Sequence, residues 1–379
     1  VYDDVLSVGL PEGTQIVGFA DDVVLTATGC NPRQAAEEAR RAISVVQRWM
    51  EEHSLSLALE KTEMVMVSSM RLGHPRIPVR VVDRTLWSQR SLCYLGVQIE
   101  DHLSWNPHVR HITNKAATVL GALQFMLRNH GGPSSTRRRI LASVATSIMR
   151  YASPVWWKAT KLKCNRRLLN RVHRQAAKGV ASAFRTVKYE CVILVAGMPP
   201  IIGLIEEDYR CHERKRTTGG TSKDIRKEER AETFRRWQRS WDDSANRTGA
   251  SRFVRWTHRV LPEVEPWVNR KHGLVNFHMS QILTGHGFFR EYLWLKKFTQ
   301  TPDCTQCPGV VESVNHAFFE CPGFSDVRER LLGPVTADTL QEHLLHSQDR
   351  WNQIQVVAKT ITTELQTRWR RANVDSDHF

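Results

Sequence analysis

The sequence has no run of about 18 apolar residues, the length a helix needs to cross a bilayer. Its N-terminus shows neither a basic start followed by an apolar stretch nor a cleavage signal. No membrane partner is expected. Cysteine is sparse: eight are scattered over 379 residues, and only Cys304 and Cys307 sit close together. This excludes a disulfide framework, points to a reducing, intracellular compartment and leaves room for one metal site. No internal repeat and no low-complexity tract occurs, which excludes repeat architectures. Acids are in short supply, with 39 Asp and Glu against 54 Lys and Arg, a formal charge of +15 and a pI near 9.7. Such an excess suits a polyanionic partner, nucleic acid before membrane surface. Charge alone leaves open a basic protein with no such partner.

What remains is an ordinary globular composition, 41% hydrophobic and 25% charged, in a chain long enough for two or three domains. It begins at Val1 and runs directly into VYDDVLSVGLPEG, as expected of a piece of a longer polypeptide. Ile16 to Phe19 and Val23 to Thr28 are β-prone and flank Ala20-Asp21-Asp22, which predicts a β-hairpin. Asn31-Pro32 opens a helix, with Ala35, Ala39, Ile43, Val46, Trp49 and Met50 at helical spacing. Leu55, Leu57 and Leu59 alternate, Met64 to Val67 reads as a strand, and a further strand pair is expected around Val79–Val82 and Cys93–Ile99. Together these predict an α+β layer with one sheet covered on one face.

From Asn106 the pattern turns helical, over 106–130 and 134–151, interrupted by Gly131-Gly132-Pro133. Residues 161–174 carry six Lys/Arg and no acid, and 210–239 carry eleven Lys/Arg against five acids. Both suit nucleic-acid contact, and both suit solvated helix faces. Trp and Arg interleave in FRRWQRSW and RFVRWTH, a mixture that fits base stacking or half-buried helices. A further helical block spans 276–298, and Trp351 to Trp369 reads as a closing amphipathic helix.

Two places carry chemistry. QIVGFADDVVLTAT (15–28) puts Asp21 and Asp22 side by side between apolar runs. Adjacent carboxylates repel and resist burial, and Mg²⁺, which takes oxygen ligands, would offset that cost. Alternatively they are ordinary turn formers. CTQCPGVVESVNHAFFEC gives C-x2-C-x8-H-x4-C from Cys304, Cys307, His316 and Cys321, a closed tetrahedral set for structural Zn²⁺ with no open position for catalysis. His286, alone nearby, is expected to be structural. So is Tyr2-Asp3-Asp4, which lacks a strand before it and reads as a helix end leading into a turn.

The ordered succession GFADD, helix, LSLALEKTE, YLGVQIEDHLSW resembles the reverse transcriptase of non-LTR (LINE-like) retrotransposons, closest to the type I arthropod class that inserts into ribosomal DNA. The likeness runs over nearly the whole chain. It implies part of a right-hand polymerase palm in 1–105, with FADD in the metal-binding hairpin, KTEMVMV in the next palm motif and CYLGVQI in the strand pair gripping the primer end. It further implies a thumb-like helical domain in 106–185, continuing the helices through YASPVWW, then a basic connector in 186–300, a zinc module in 301–323 and C-terminal helices in 324–379. By resemblance Asp21 is the more essential Mg²⁺ ligand, Asp22 a looser one, and Phe19 and Ala20 shape the turn beside the primer terminus. Lys61 falls where such polymerases place a proton donor for pyrophosphate, though a solvated lysine at a strand start fits as well.

The family's further metal-binding aspartate and fingers lie well upstream of FADD, and an endonuclease lies N-terminal to the polymerase. This chain alone is therefore expected to be inactive. The zinc pattern stands near the C-terminus of such proteins, preceded by a segment like LTGHGFFREYL, and its usual inferred role is nucleic-acid binding. Some relatives carry a restriction-like nuclease beyond it, and the 58 residues after Cys321 show no acidic-acidic-lysine set of that kind. Implied partners are an RNA template, a DNA primer or target and dNTPs, with two Mg²⁺ ions and a nuclear location. A catalytically inactive nucleic-acid-binding remnant is the other reading.

Overall fold

The computed structural model describes residues 2–68, 76–81, 84–123, 132–218 and 221–374, arranged as two compact units, Val1–His111 and Ile112–Phe379. The expected strand residue Val82, the breaker Gly131 and residues 124–130 of the expected first long helix lie outside the described residues.

The first unit is α+β. Helix α1 (Tyr2–Leu6) leads through a turn to strands β1 (Thr14–Phe19) and β2 (Asp22–Ala27), so Asp3 and Asp4 sit on a helix, as the sequence suggests. Helix α2 (Pro32–Glu52) starts where expected: Asn31 Oδ1 accepts the N–H of Gln34 at 2.9 Å, and proline at the first turn has no donor to lose. Its face of Ala35, Ala36, Ala42 and Val46 is buried, and it packs on β2 and on the following strand. Two further hairpins follow, β3 (Pro78–Val81) with β4 (Arg84–Trp87) and β5 (Ser91–Tyr94) with β6 (Val97–Glu100).

Three expectations need correction here. The single covered sheet is, among the described residues, three separate two-stranded antiparallel sheets. The segments around Val79 and Cys93 do not pair with one another, since each has a neighbour close enough in sequence to close its own hairpin. Met64–Val67 is not a strand: it makes one bridge, Val65 to Gln89, and the rest of 55–67 is turn and loop. The alternating apolar residues of 55–67 serve the core directly, with Leu57, Leu59 and Met64 packing on buried Ala36, Val79 and Val81.

Helix α3 (Asn106–Leu123) runs across the division between the units. The second unit is helical: α4 (Ser135–Arg150), α5 (Ser153–Trp156), α6 (Lys163–Ala181), α7 (Tyr189–Ala196), α8 (Ile201–Thr218), α9 (Ser222–Asn246), α10 (Arg252–Val260), α11 (Val264–Asn269), α12 (Phe277–Thr284), α13 (Arg290–Leu295), α14 (Ser325–Leu331), α15 (Leu340–His346) and α16 (Gln348–Val374). At its centre α7 is apolar from Cys191 through Ala196, all buried, as befits a helix segment enclosed on every side. It packs against α6, α10, α11 and α12. No single helix among the described residues is long and apolar enough to cross a membrane.

Four fully buried tryptophans fill the gaps, each donating its indole N–H: Trp156 to Tyr151 O at 2.9 Å, Trp241 to Leu261 O at 2.9 Å, Trp267 to Leu194 O at 2.8 Å and Trp351 to Gln355 Oε1 at 3.0 Å. At roughly 200 Å² each, their burial is worth on the order of 5 kcal/mol apiece. Trp237 is buried too, and Trp256 donates to Ile282 O. The tryptophans of FRRWQRSW and RFVRWTH therefore serve the core, and of the two uses their pattern allows, packing is the one found.

Candidate metal centre and aspartate hairpin

The β1–β2 register ends on the pair Phe19 and Asp22, leaving Ala20-Asp21 as a two-residue turn. Ala20 takes φ of +52°, a left-handed conformation that favours glycine. Strand alternation gives residues 17 and 19 one face with 22 and 24. Val17 and Phe19 there are 53% and 62% exposed. Asp21 and Asp22 are exposed as well, so their adjacency carries no burial cost. The apolar runs on either side do not bury them, because a two-stranded ribbon has too little mass behind its turn. Lys61 is exposed in a turn, its N–H bonded to Ala58 O at 3.0 Å, and it makes no hydrogen bond or ion pair with either aspartate. The hairpin thus offers two carboxylates, and among the described residues no third ligand groups with them. By itself this is not a complete Mg²⁺ site.

The second cluster is complete. Ligand atoms of Cys304, Cys307, His316 and Cys321 all lie within 4.8 Å of one another. The sulfur of Cys321 is 3.8 Å from that of Cys304 and 3.9 Å from that of Cys307. Sulfurs about 2.3 Å from a tetrahedral zinc would stand about 3.8 Å apart. A tight turn aims the first two: Cys304 N–H donates to Val310 O at 2.7 Å, Val310 N–H to Cys307 O at 3.1 Å, and Gly309 takes φ of +74°. A π-helical turn from His316 to Glu320 brings in the others, with Cys321 N–H donating to His316 O at 2.7 Å.

His316 Nε2 is buried without a partner, while Nδ1 lies 3.6 Å from a Glu320 carboxylate oxygen. An imidazole oriented by a carboxylate, with its other nitrogen unused, is the usual arrangement of a metal ligand. Burial pushes all three thiols above their ordinary pKa, and a bound cation would reverse that by favouring thiolates. The Gln306 N–H already points at the Cys304 sulfur at 3.4 Å. The donor set fits a metal ion of zinc's preferences.

Glu312, 2% exposed, anchors the loop. Its carboxylate accepts the Arg290 N–H at 3.1 Å, and its backbone bonds Pro302 and Glu291. Burial holds its carboxyl above the usual range. Glu320 was legible as the residue one helical turn after His316, whereas nothing in the sequence singles out Glu312. His286 is not part of the cluster. It is buried against Phe253 and Tyr292, donates from Nδ1 to Thr284 O at 2.7 Å, and burial lowers its pKa to about 4.

No family model matches the chain, and no solved structure does. Curated proteins do. A 115 kDa protein in type-1 retrotransposable element R1DM of Drosophila melanogaster is 26% identical over 343 residues, covering 86% of this chain and 32% of that protein. A retrovirus-related Pol polyprotein from type-1 retrotransposable element R1 of Bradysia coprophila is 25% identical over 349 residues, 87% of this chain and 34% of the relative. One from element R1 4 of Nasonia vitripennis is 24% identical over 348 residues, 84% of this chain and 86% of the relative. The chain is a homologue of retrotransposon proteins. More narrowly, its relatives are Pol polyproteins of type-1 R1 elements, and it spans about a third of the length of the first two.

Proposed function

We propose that this chain is the C-terminal part of the RNA-directed DNA polymerase of a type-1 non-LTR retrotransposable element, working in the nucleus by target-primed reverse transcription. The observation that carries this reading is the similarity to R1 Pol polyproteins over more than four-fifths of the chain. The parent reaction is RNA-templated DNA synthesis, in which a primer 3′ hydroxyl attacks the α-phosphate of a dNTP and pyrophosphate leaves. Residues 1–105 supply part of the palm and the helices after them a thumb. Asp21 and Asp22, at a solvent-facing turn, are two of the carboxylates that hold the Mg²⁺ pair, and a further aspartate comes from outside residues 1–379. Lys61 is a candidate proton donor to pyrophosphate, although nothing brings it to the aspartates in this structure. Cys304, Cys307, His316 and Cys321 hold a structural Zn²⁺ that rigidifies a nucleic-acid-binding module.

The test is primer extension on an RNA template by a longer protein that includes the upstream polymerase segments, with and without Asp21→Ala. Loss of extension in the variant supports the assignment, and equal extension by both sinks it. The excess of Lys and Arg and the Cys/His cluster, which need no polymerase chemistry, suit a second reading, a nucleic-acid-binding remnant without catalysis. A longer wild-type protein that binds template and primer but never extends would select it.

A further inference from the structure

Within the second unit, residues of α4, α12 and α16 and the end of α6 enclose a cavity of about 480 Å³, inside the ~300–1,000 Å³ range of small-molecule sites. Among the described residues that line it there is no Asp or Glu. Three helices meet it at their first residues: Ser135 of α4, Phe277 of α12 and Gln348 of α16. The positive ends of three helix dipoles thus border one space.

The side chains around it present hydrogens more than lone pairs. Arg138 is 4% exposed and donates from Nε to Pro133 O at 2.6 Å and from Nη1 to Gly179 O at 3.2 Å and to Ser182 Oγ. These acceptors fix the guanidinium in the wall and are neutral, and burial holds Arg138 below its ordinary pKa. Asn352 and Gln355 stand three residues apart on one face of α16. The Asn352 Oδ1 accepts from Gln348 Nε2 at 2.7 Å, and the Gln355 Oε1 accepts from the Trp351 indole at 3.0 Å. With both amide oxygens engaged, the two side chains have N–H left to give. Ser134 makes no capping bond to α4, so the first-turn N–H groups of that helix are not claimed by it.

A buried cation, amide donors and helix starts, with no carboxylate in the lining, suit a ligand that is negative and rich in acceptors. A phosphodiester inside a strand has two free oxygens and must leave the cavity by two routes. A phosphomonoester has three, carries most of a second charge at pH 7 and needs one route out. The lining also has an apolar part. Phe277 is stacked on Phe184 at 5.5 Å between centroids, and Leu274 is 47% exposed, which suits a flat organic group.

We propose that this cavity binds a phosphomonoester carrying a nucleobase, with the phosphate held by Arg138, Asn352, Gln355 and the first turn of α4 and the base resting on Phe277 and Leu274. A free nucleoside 5′-monophosphate and the 5′-phosphorylated end of a nucleic-acid strand offer the same chemistry. The proposal goes beyond the polymerase reading and does not rest on it.

The test titrates the full chain with AMP, with adenosine, and with two labelled single strands of one sequence, one ending in a 5′-phosphate and the other in a 5′-hydroxyl. Asn352→Asp puts a negative charge into the cavity, keeps an oxygen for Gln348 and sits at an exposed position early in α16, where an acid is tolerated. Gln353→Glu adds the same charge one residue on, outside the lining, and keeps an acceptor for Arg350.

The expected result is that AMP binds, that adenosine binds at least about 10-fold more weakly, and that Asn352→Asp weakens AMP on the order of 10-fold while Gln353→Glu changes it less than about 3-fold. A preference for the 5′-phosphate strand that Asn352→Asp abolishes supports the site and assigns the phosphate to a strand end. AMP binding without that preference supports the site and assigns it to a free nucleotide. Equal affinity for AMP and adenosine, no AMP binding at millimolar concentration, or equal losses in the two variants overturns the proposal. Binding of the 5′-hydroxyl strand by wild type tests the nucleic-acid reading separately, so the two can fail independently.

Discussion

Glu320 lies 3.6 Å from Nδ1 of His316, one turn further along the chain, and leaves the buried Nε2 as the atom without a partner. A metal held by this cluster would therefore depend on a residue that is not a ligand. Wild-type protein is expected to carry one zinc per chain by elemental analysis and Cys307→Ser to lose it. Glu320→Gln should keep the zinc but weaken it on the order of 10-fold in a chelator competition, the lower end of what removing such a carboxylate costs. Matching zinc content in wild type and Cys307→Ser would dismiss the site.

The aspartate hairpin separates chemistry from stability. Asp21 is exposed at the turn, so Asp21→Ala is expected to change unfolding free energy by less than about 0.5 kcal/mol. Ala20→Gly, at φ of +52°, should stabilise by up to about 1 kcal/mol, because glycine accepts the left-handed region without the Cβ clash. Urea unfolding of the two variants beside wild type decides both. A destabilised Ala20→Gly would mean the turn is not held left-handed in solution.

Glu229 is 7% exposed and receives both Arg210 and Arg214, whose hydrogen bonds hold its carboxyl below the usual range against the opposing effect of burial. Glu228 meets Arg214 in the open. Glu229→Ala should cost about 2–3 kcal/mol, since it leaves a half-buried arginine unmatched, and Glu228→Ala under about 1 kcal/mol. Thermal or denaturant unfolding that ranks the two equally would contradict the difference in burial.

His173 is fully buried, with Nδ1 3.1 Å from the Tyr189 hydroxyl and Nε2 unpartnered, and burial lowers its pKa to about 4. Below its unfolded value of 6.5 the unfolded chain binds a proton that the folded chain refuses. Its contribution is thus fully present above pH 6.5 and is lost as pH falls toward 4, by up to about 3 kcal/mol. His286 acts in the same direction. Unfolding free energies measured from pH 7 to 4.5 should fall less steeply for His173→Gln than for wild type. Parallel curves would show that this histidine does not sense the acid.

Much of this was legible because local chemistry decided it. The hairpin around Asp21, the Asn31 cap, the closing helix around Trp351 and the four-ligand cluster are set by residues within a few positions of one another, although Asp22 proves to be the first residue of β2 and not part of the turn. The single sheet was not, because alternation in Leu55–Leu59 and Met64–Val67 reports that side chains are partly buried, not that the backbone has a strand to pair with. The tryptophan–arginine stretches left two uses open for a related reason. Their pattern on a helix is the same whether the indoles face a core or a base, and only the packing of α9 and α10 against their neighbours distinguishes the two. Partners of Arg210 and Arg230, some twenty residues away in sequence, have no local signature at all.

The placement of the tryptophans has a practical consequence. Only Trp49, Trp87 and Trp105 of the twelve belong to the first unit, and Trp87 is 52% exposed, whereas Trp156, Trp241, Trp267 and Trp351 are sealed inside the second. Intrinsic emission will therefore be blue-shifted and dominated by the helical unit. A fluorescence melt will follow that unit's collapse and stay nearly blind to the loosening of the hairpins, so circular dichroism or a dye placed near residue 20 is needed to watch the other half.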